Sequence, residues 1–259
     1  MADAVRLTDD DGLAVLTIDH PPLNLLDDAT ELELHDAIER LAAAPPRALL
    51  LRAEGDVWTA GVDVHLFAAL GEPADASAWF ARGLATIQKV EDLPCPVVFA
   101  AHGLCLTWGF ELALACDIVV AAESARFGLV EARVGLTPSW GGPQRLSRRV
   151  GPARAKHLIM TATLSDARTL HAWGMVSEVW PDVELESRAR ALASSLAQGP
   201  TLAHATTKQI MSLGERAGVR AADTETPQLS GRLFETTDLR DAVQSFLTDG
   251  PSAATFRGR

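Results

Sequence analysis

The sequence predicts an α/β fold with a largely covered sheet. Three observations predict it: short apolar runs rich in branched residues recur, amphipathic helical stretches separate them, and the connections are brief. Residues 13–18 alternate and carry branched side chains, so they form a strand that stops at His20-Pro21-Pro22. Asp28 caps the next helix, whose apolar face is Leu32, Leu34, Ala37, Ile38 and Leu41, and Pro45-Pro46 ends it. Residues 48–51 read as a short buried strand, 76–90 as a second helix, and 96–101 as another buried strand leading into His102-Gly103. A helix over 109–115, a strand over 117–121 and a loop over 124–128 follow. Beyond Gly151 the pattern turns helical, with a pair over 152–161 and 165–173, then helices over 185–197, 201–213 and 238–247. The chain therefore divides into a core over residues 1–175 and a helical region over 176–259.

Composition narrows the function. With 259 residues and 47% hydrophobic content, the chain can bury a large core. Its net charge of −11 argues against a nucleic-acid-binding surface or attraction to anionic lipid. No window approaches eighteen consecutive apolar residues, and the N-terminal stretch lacks a basic start followed by an apolar run, so neither a membrane span nor a secretory leader is expected. Cys95, Cys105 and Cys116 are odd in number, lie in apolar runs and lack metal-ligand spacing, which reads as three reduced core thiols in a cytoplasmic protein and no metal.

Two glutamates carry the functional signal. Glu111 and Glu131 each sit in an apolar, glycine-punctuated stretch, where an unpaired carboxylate is costly to desolvate. Such placement points to acid–base chemistry. Seven helical residues rise ~10 Å and a five-residue strand returns ~16 Å, so the out-and-back path brings the two carboxylates to one cavity. Glu131, after Phe127-Gly128-Leu129-Val130, is expected to be the drier and more easily protonated of the two. Simpler readings stay open: Glu111 as a first-turn residue facing the helix dipole, and Glu131 as a solvated carboxylate paired with Arg126 or Arg133.

Six elements occur in order along the chain: His20-Pro21-Pro22-Leu23-Asn24; Trp58-Thr59-Ala60-Gly61-Val62-Asp63; His102-Gly103 leading to Gly109-Phe110-Glu111-Leu112-Ala113-Leu114-Ala115-Cys116-Asp117; Ala125-Arg126-Phe127-Gly128-Leu129-Val130-Glu131; Gly135-Leu136-Thr137-Pro138; and Gly141-Gly142-Pro143-Gln144-Arg145-Leu146. In these the chain resembles the enoyl-CoA hydratase/isomerase (crotonase) superfamily over nearly its whole length. The resemblance implies a crotonase-like spiral of ββα units bearing an acyl-CoA site, followed by a C-terminal helical trimerisation region, with assembly as a homotrimer or dimer of trimers. It implies no cofactor, coenzyme A being part of the substrate. Two backbone N–H groups of the family polarise the thioester carbonyl, and by position these fall on Ala60 and Trp108. Glu111 would activate water and Glu131 would deliver a proton to Cα, with Gly61, Val62, Asp63, Gly109, Ser139 and Trp140 around the substrate.

The resemblance thus implies an enoyl-CoA hydratase adding water across the 2,3 double bond through a stabilised enolate. An enoyl-CoA isomerase, another thioester reaction on the same fold, or a non-catalytic acyl-CoA-binding protein are the alternatives. Departures from the family pattern are local. Thr107-Trp108-Gly109 replaces a run of glycines, Trp140 stands where small residues are usual, and His65 replaces a nucleotide-binding lysine. A tryptophan at a site needing positive φ would be strained, and either indole could fill part of the acyl pocket or pack in the core. Ser139 stands where dienoyl-CoA isomerases carry an extra acid, which disfavours that branch. Arg52, Lys208, Arg257 and Arg259 are the cations available for the nucleotide phosphates.

Overall fold

The computed structural model describes residues 3–250 and 254–259. It opens with a hairpin of β1 (Val5–Asp10) and β2 (Leu13–Ile18), turned at Asp11 and Gly12 with φ of 52° and 83°. That pair of positive φ values makes the tight turn whose twist matches the strands. α1 (Asp28–Ala43) begins behind Asp27, which accepts the Thr30 N–H; the cap is therefore Asp27 and not Asp28. Its buried face includes Leu34, Ala37, Ile38 and Leu41, while Leu32 is exposed. β3 (Ala48–Ala53), the short α2 (Val64–Ala69) and α3 (Pro73–Asp92) follow. Next come β4 (Val97–Ala101), β5 (Leu104–Leu106), α4 (Trp108–Ala115), β6 (Ile118–Ala122) and β7 (Arg126–Gly128).

Six strands form the main sheet in the order β1-β2-β3-β4-β6, with β9 (Glu178–Trp180) last; every pair but β1·β2 is parallel. Side chains alternate between its faces. Leu16, Leu49, Leu51, Phe99 and Val119 point into a core with α1, α3 and α4. Val15, Leu50, Val98 and Val120 point the other way, onto Ala189 and Ala193 of α8 (Leu185–Ala197). Burial on both faces explains why these strands read as unbroken apolar runs. A second sheet, β5-β7 with the two-residue β8 (Ser165–Asp166), lies where the candidate site is built.

Several stretches differ from the sequence expectation. Residues 126–128 are a strand rather than a loop, because pairing with β5 supplies the order. α5 (Gly142–Val150) was not expected, its Gly-Gly-Pro start and three arginines masking the period. The region from 176 onward is not purely helical: β9 joins the main sheet and α8 covers it, so the packed core extends past residue 175. α6 (Pro152–Thr161), α7 (Ala167–Ala172), α9 (Thr201–Ala217) and α11 (Thr237–Asp249) lie where helices were expected. α10 (Val219–Gly231), polar and interrupted by Pro227, gave no signal and packs against α9.

Candidate active site

The site is assembled from three backbone turns. The first runs from Trp58 to Asp63. Asn24, itself buried, holds this turn by donating Nδ2 to the carbonyls of Glu54 and Val57, and its own carbonyl accepts the Thr59 hydroxyl at 2.6 Å. Gly61 at φ 115° then bends the chain. The Ala60 N–H donates to the Leu23 carbonyl at 2.9 Å, so it is spent within the fold. This corrects the assignment of Ala60 as an oxyanion donor. Val62 lines the cavity described below, and its N–H has no acceptor among the described residues. Asp63 caps α2 by accepting the His65 N–H, and, like Ala60, Gly61 and Gly109, it is not on the cavity wall.

The second turn joins β5 to α4. Thr107 sits at φ 47°, ψ −119°, and Trp108 is already the first helical residue. The strain expected at the tryptophan is thus carried one residue earlier. Trp108 Nε1 donates to Thr59 Oγ1 at 3.0 Å and to the Gly61 carbonyl at 3.1 Å, while its ring leans on Trp58. Its indole is core packing that ties the first turn to the second, and its edge closes one side of the cavity. Gly109 is needed for that packing: a Cβ there would lie 2.5 Å from the Thr59 methyl. As a first-turn residue, Trp108 keeps a backbone N–H without a helical partner.

The third turn precedes α5 and grips Glu111. Trp140 N–H and Gly142 N–H both donate to Glu111 Oε1 at 2.8 Å. The Trp140 indole packs on Trp79, in room left by Gly83, where a Cβ would collide with it. Ser139 donates its hydroxyl to the Thr137 carbonyl at the cavity rim. Glu131 starts a 3-10 turn (Glu131–Val134) closed by Gly135 at φ 76°. It is 8% exposed, and its Oε2 has no partner among the described residues. Arg126 and Arg133 donate to backbone carbonyls instead, so Glu131 is not a surface ion-pair member.

Glu111 and Glu131 line one cavity of about 20 Å³, room for a water or two. Burial pushes Glu111 up to about 8, reinforced by the Glu131 charge and opposed by the Gly142 and Trp140 amides and by Arg145. Burial pushes Glu131 up to about 7. Glu111, at 3% exposure, is therefore the drier of the two, contrary to expectation. The first ionisation of such a pair raises the second, so the two carboxyls do not both ionise readily near neutrality. Burial raises Glu111 further than Glu131, which works against charge there, but the two amide donors on Oε1 are placed to hold a carboxylate at Glu111, and Glu131 Oε2, without a partner among the described residues, suits a protonated carboxyl. One group can take a proton while its neighbour gives one.

Phe67, Phe80 and Leu136 separate this cavity from an outer apolar pocket of about 290 Å³, lined also by Val64, Leu70 and Val134. Larger clefts of about 440 and 500 Å³ lie along α9, away from both carboxylates. Sequence reasoning placed Val62, Trp108 and Trp140 at the site but missed the Val62 amide as a candidate donor and the wall of Phe67, Trp79 and Phe80; only Gly61, marking a backbone bend, hinted at the first. Of the cations expected near a nucleotide, Arg52 is paired with Glu54 and Glu186, and Lys208 with Asp117. His102 bonds the Gly55 carbonyl, and His65 is exposed beside Asp63.

Comparison with known proteins gives matches over nearly the whole chain. The profile described as enoyl-CoA hydratase/isomerase covers residues 8–253. A probable enoyl-CoA hydratase of Rhodobacter capsulatus is 35% identical over 254 residues, 98% of each chain. Another from Bacillus subtilis is 32% identical over 247 residues, covering 95% of this chain and 96% of that one. The crystal structure of a putative enoyl-CoA hydratase from Streptomyces coelicolor A3(2) superposes with a TM-score of 0.93 at 30% identity, over 99% of this chain and 94% of that one.

Proposed function

The chain belongs to the enoyl-CoA hydratase/isomerase family, and on that premise we propose that it adds water across the 2,3 double bond of an enoyl-CoA thioester. The observation that carries this reading is the pairing of two buried carboxyl groups, both raised well above the usual range, with two backbone N–H groups that have no acceptor among the described residues, around one cavity. The thioester oxygen accepts the Val62 and Trp108 N–H groups. Water attacks Cβ as Glu111 takes one of its protons, and the π electrons move through Cα onto the thioester oxygen as an enolate. Two preorganised amides at that oxygen are worth ~10²–10³ in rate each. Collapse of the enolate takes the proton of Glu131 at Cα, so the elements of water are added and the pair is left with its proton transferred. Solvent exchange resets it.

Following loss of the conjugated enoyl-thioester absorbance with a short and a longer substrate tests the reading. Turnover is expected, and its absence with both substrates in folded, assembled protein would sink it. The lone, unpartnered Oε2 of Glu131 favours one second reading, a proton shuttle between Cα and Cγ that needs no Glu111. Glu111→Gln separates them, because hydration should fall ~10²–10⁴-fold while isomerisation survives.

The exposed Met211, Val219, Phe234, Phe246 and Leu247 of the helical region support self-association as a trimer or pair of trimers. Light scattering after size exclusion should give a multiple of three chains. Burial of all three thiols supports operation in a reducing compartment such as the cytoplasm.

A further inference from the structure

The cavity between Glu111 and Glu131 holds a water or two, so the carbons of an acyl group beyond the reacting pair have to leave it. Its tryptophan walls are locked. Trp79, Trp108 and Trp140 are each at most 4% exposed; Trp108 is bonded through Nε1 to Thr59 and Gly61, and Trp140 sits in the notch left by Gly83. The rim at Thr137 and Ser139 is polar and gives a hydrocarbon nothing to bury against.

The remaining wall is different. Phe67, Phe80 and Leu136 are only half-buried, and each also lines the outer pocket of about 290 Å³. One layer of side chains therefore separates the two spaces. Phe80 is braced edge-on against Trp79, 5.3 Å between ring centroids, on the long helix α3. Phe67 meets the same indole edge-on at 6.1 Å but rides on α2, a helix of six residues that buries none of its side chains. A side chain held so lightly changes rotamer at little cost. Beyond it the pocket presents Val64, Leu70, Ala76 and Val134, and among the described residues its wall holds no polar side chain. A chain end carrying a hydroxyl, carboxylate or ammonium would lose its hydration there and gain no hydrogen bond. At ~30 Å³ for a water-sized group, the volume admits several methylenes.

We propose that this outer pocket takes the far end of an unsubstituted hydrocarbon acyl chain, entered past Phe67, and that it makes the protein prefer acyl groups longer than crotonyl. The inference rests on the acyl-thioester reading of the cavity between the glutamates and adds to it the class of acyl group. Chain-length preference then resides in the outer pocket and the chemistry in the cavity, so the two can be altered separately.

Crotonyl-CoA, trans-2-octenoyl-CoA and the octenoyl thioester bearing a terminal hydroxyl are the probes. Each methylene moved from water into an apolar site is worth about fourfold. In the parent, kcat/KM for octenoyl-CoA should therefore exceed that for crotonyl-CoA at least ~10-fold, and the terminal hydroxyl should erase most of the gain. Ala76→Phe fills the pocket from α3, and Val134→Asp places a charge in its wall; Ala76 is half-buried and Val134 exposed, so neither change disturbs the core. Each should cut the octenoyl-to-crotonyl ratio ~10-fold. Both substrates use the same glutamates, so the ratio cancels any general effect on turnover. Calorimetry with saturated octanoyl-CoA and butyryl-CoA reads the same preference without chemistry. A ratio near one in the parent, full tolerance of the terminal hydroxyl, or a ratio unmoved in both folded variants would overturn the inference; crotonyl-CoA turnover alongside any of these leaves hydration standing. If no enoyl-CoA is hydrated, yet octanoyl-CoA binds more tightly than butyryl-CoA and both variants erase the difference, the pocket stands and the hydratase reading falls. Failure of the parent to bind any of these acyl-CoAs overturns both.

Discussion

Trp140 donates its backbone N–H to Oε1 of Glu111 at 2.8 Å, so the position of the candidate base is set by a loop and not by its own helix. Gly142 supplies the second bond, and a Cβ at Gly142 would stand 2.9 Å from the same oxygen. Gly142→Ala should therefore push the carboxylate aside. We expect kcat to fall at least ~10-fold, as misplacement of a catalytic group does. Stability should change by only about 1 kcal/mol, since the residue begins a helix. Steady-state kinetics beside a denaturant titration checks this; unaltered kcat would mean that the loop does not position Glu111.

The raised carboxylates make a prediction about pH and stability. Both groups are pushed above the usual 4.5 by burial, so between that value and about 8 the folded chain binds more protons than the unfolded one. Stability carried by the protonated groups is complete below the usual value and drains away as pH rises through the folded values. The loss approaches ~1.4 kcal/mol per pH unit for each group. Glu131→Gln cannot ionise at that position, so its stability relative to the parent should rise from about pH 5 to about pH 7 and then level off. A gap that stays constant across that range would mean that Glu131 is not held protonated by the fold.

Arg145 reaches beneath the same loop. Its Nη1 lies 1.9 Å from where a Gly141 Cβ would be, and its Nε and Nη2 donate to Glu91, which Arg148 also holds. Burial would raise Glu91, but these two arginines outweigh it and keep the carboxyl below its usual range. Arg145→Met removes the cation that opposes the rise in Glu111 and leaves Glu91 one partner. The acid limb of kcat/KM should move to higher pH, and stability should drop toward the low end of the ~3–5 kcal/mol seen when buried pairs are broken. Loss of activity with an unmoved limb would assign Arg145 a packing role alone.

How much of this was legible in the sequence depends on what each feature is made of. Glu111 and Glu131 stood out because a charge in an apolar, glycine-marked stretch is chemically anomalous wherever the chain goes. The central strands were legible because burial on both faces leaves an apolar run. Of the two proposed oxyanion donors, Trp108 was placed by the resemblance but Val62 was not, because a backbone N–H has no side-chain signature: Ala60 and Val62 flank Gly61, and only the bond to Leu23 shows which amide is spent. β7, β8 and β9, of two or three residues, are too short for a period to register and exist through their partners. The relative dryness of the two glutamates was misjudged because the amides of Trp140 and Gly142, thirty residues away, close over Glu111.

Trp108 provides the last test, because its backbone and side chain do separate jobs. The N–H belongs to the cavity, whereas the indole Nε1 ties Thr59 Oγ1 and the Gly61 carbonyl to α4. Trp108→Phe keeps the amide and cuts the tie. It strands no acceptor, since the Gly61 carbonyl still receives the Leu26 N–H at 3.0 Å. The smaller ring leaves a void against Trp58, costing about 1–3 kcal/mol. The turns bearing Val62 and Trp108 then shift relative to each other, so kcat should fall ~10-fold with KM nearly constant, because misaligned donors affect the transition state more than the ground state. Kinetics on Trp108→Phe at a temperature well below its melting point separates the two effects. A raised KM with unchanged kcat would place the indole in substrate binding and not in alignment of the donors.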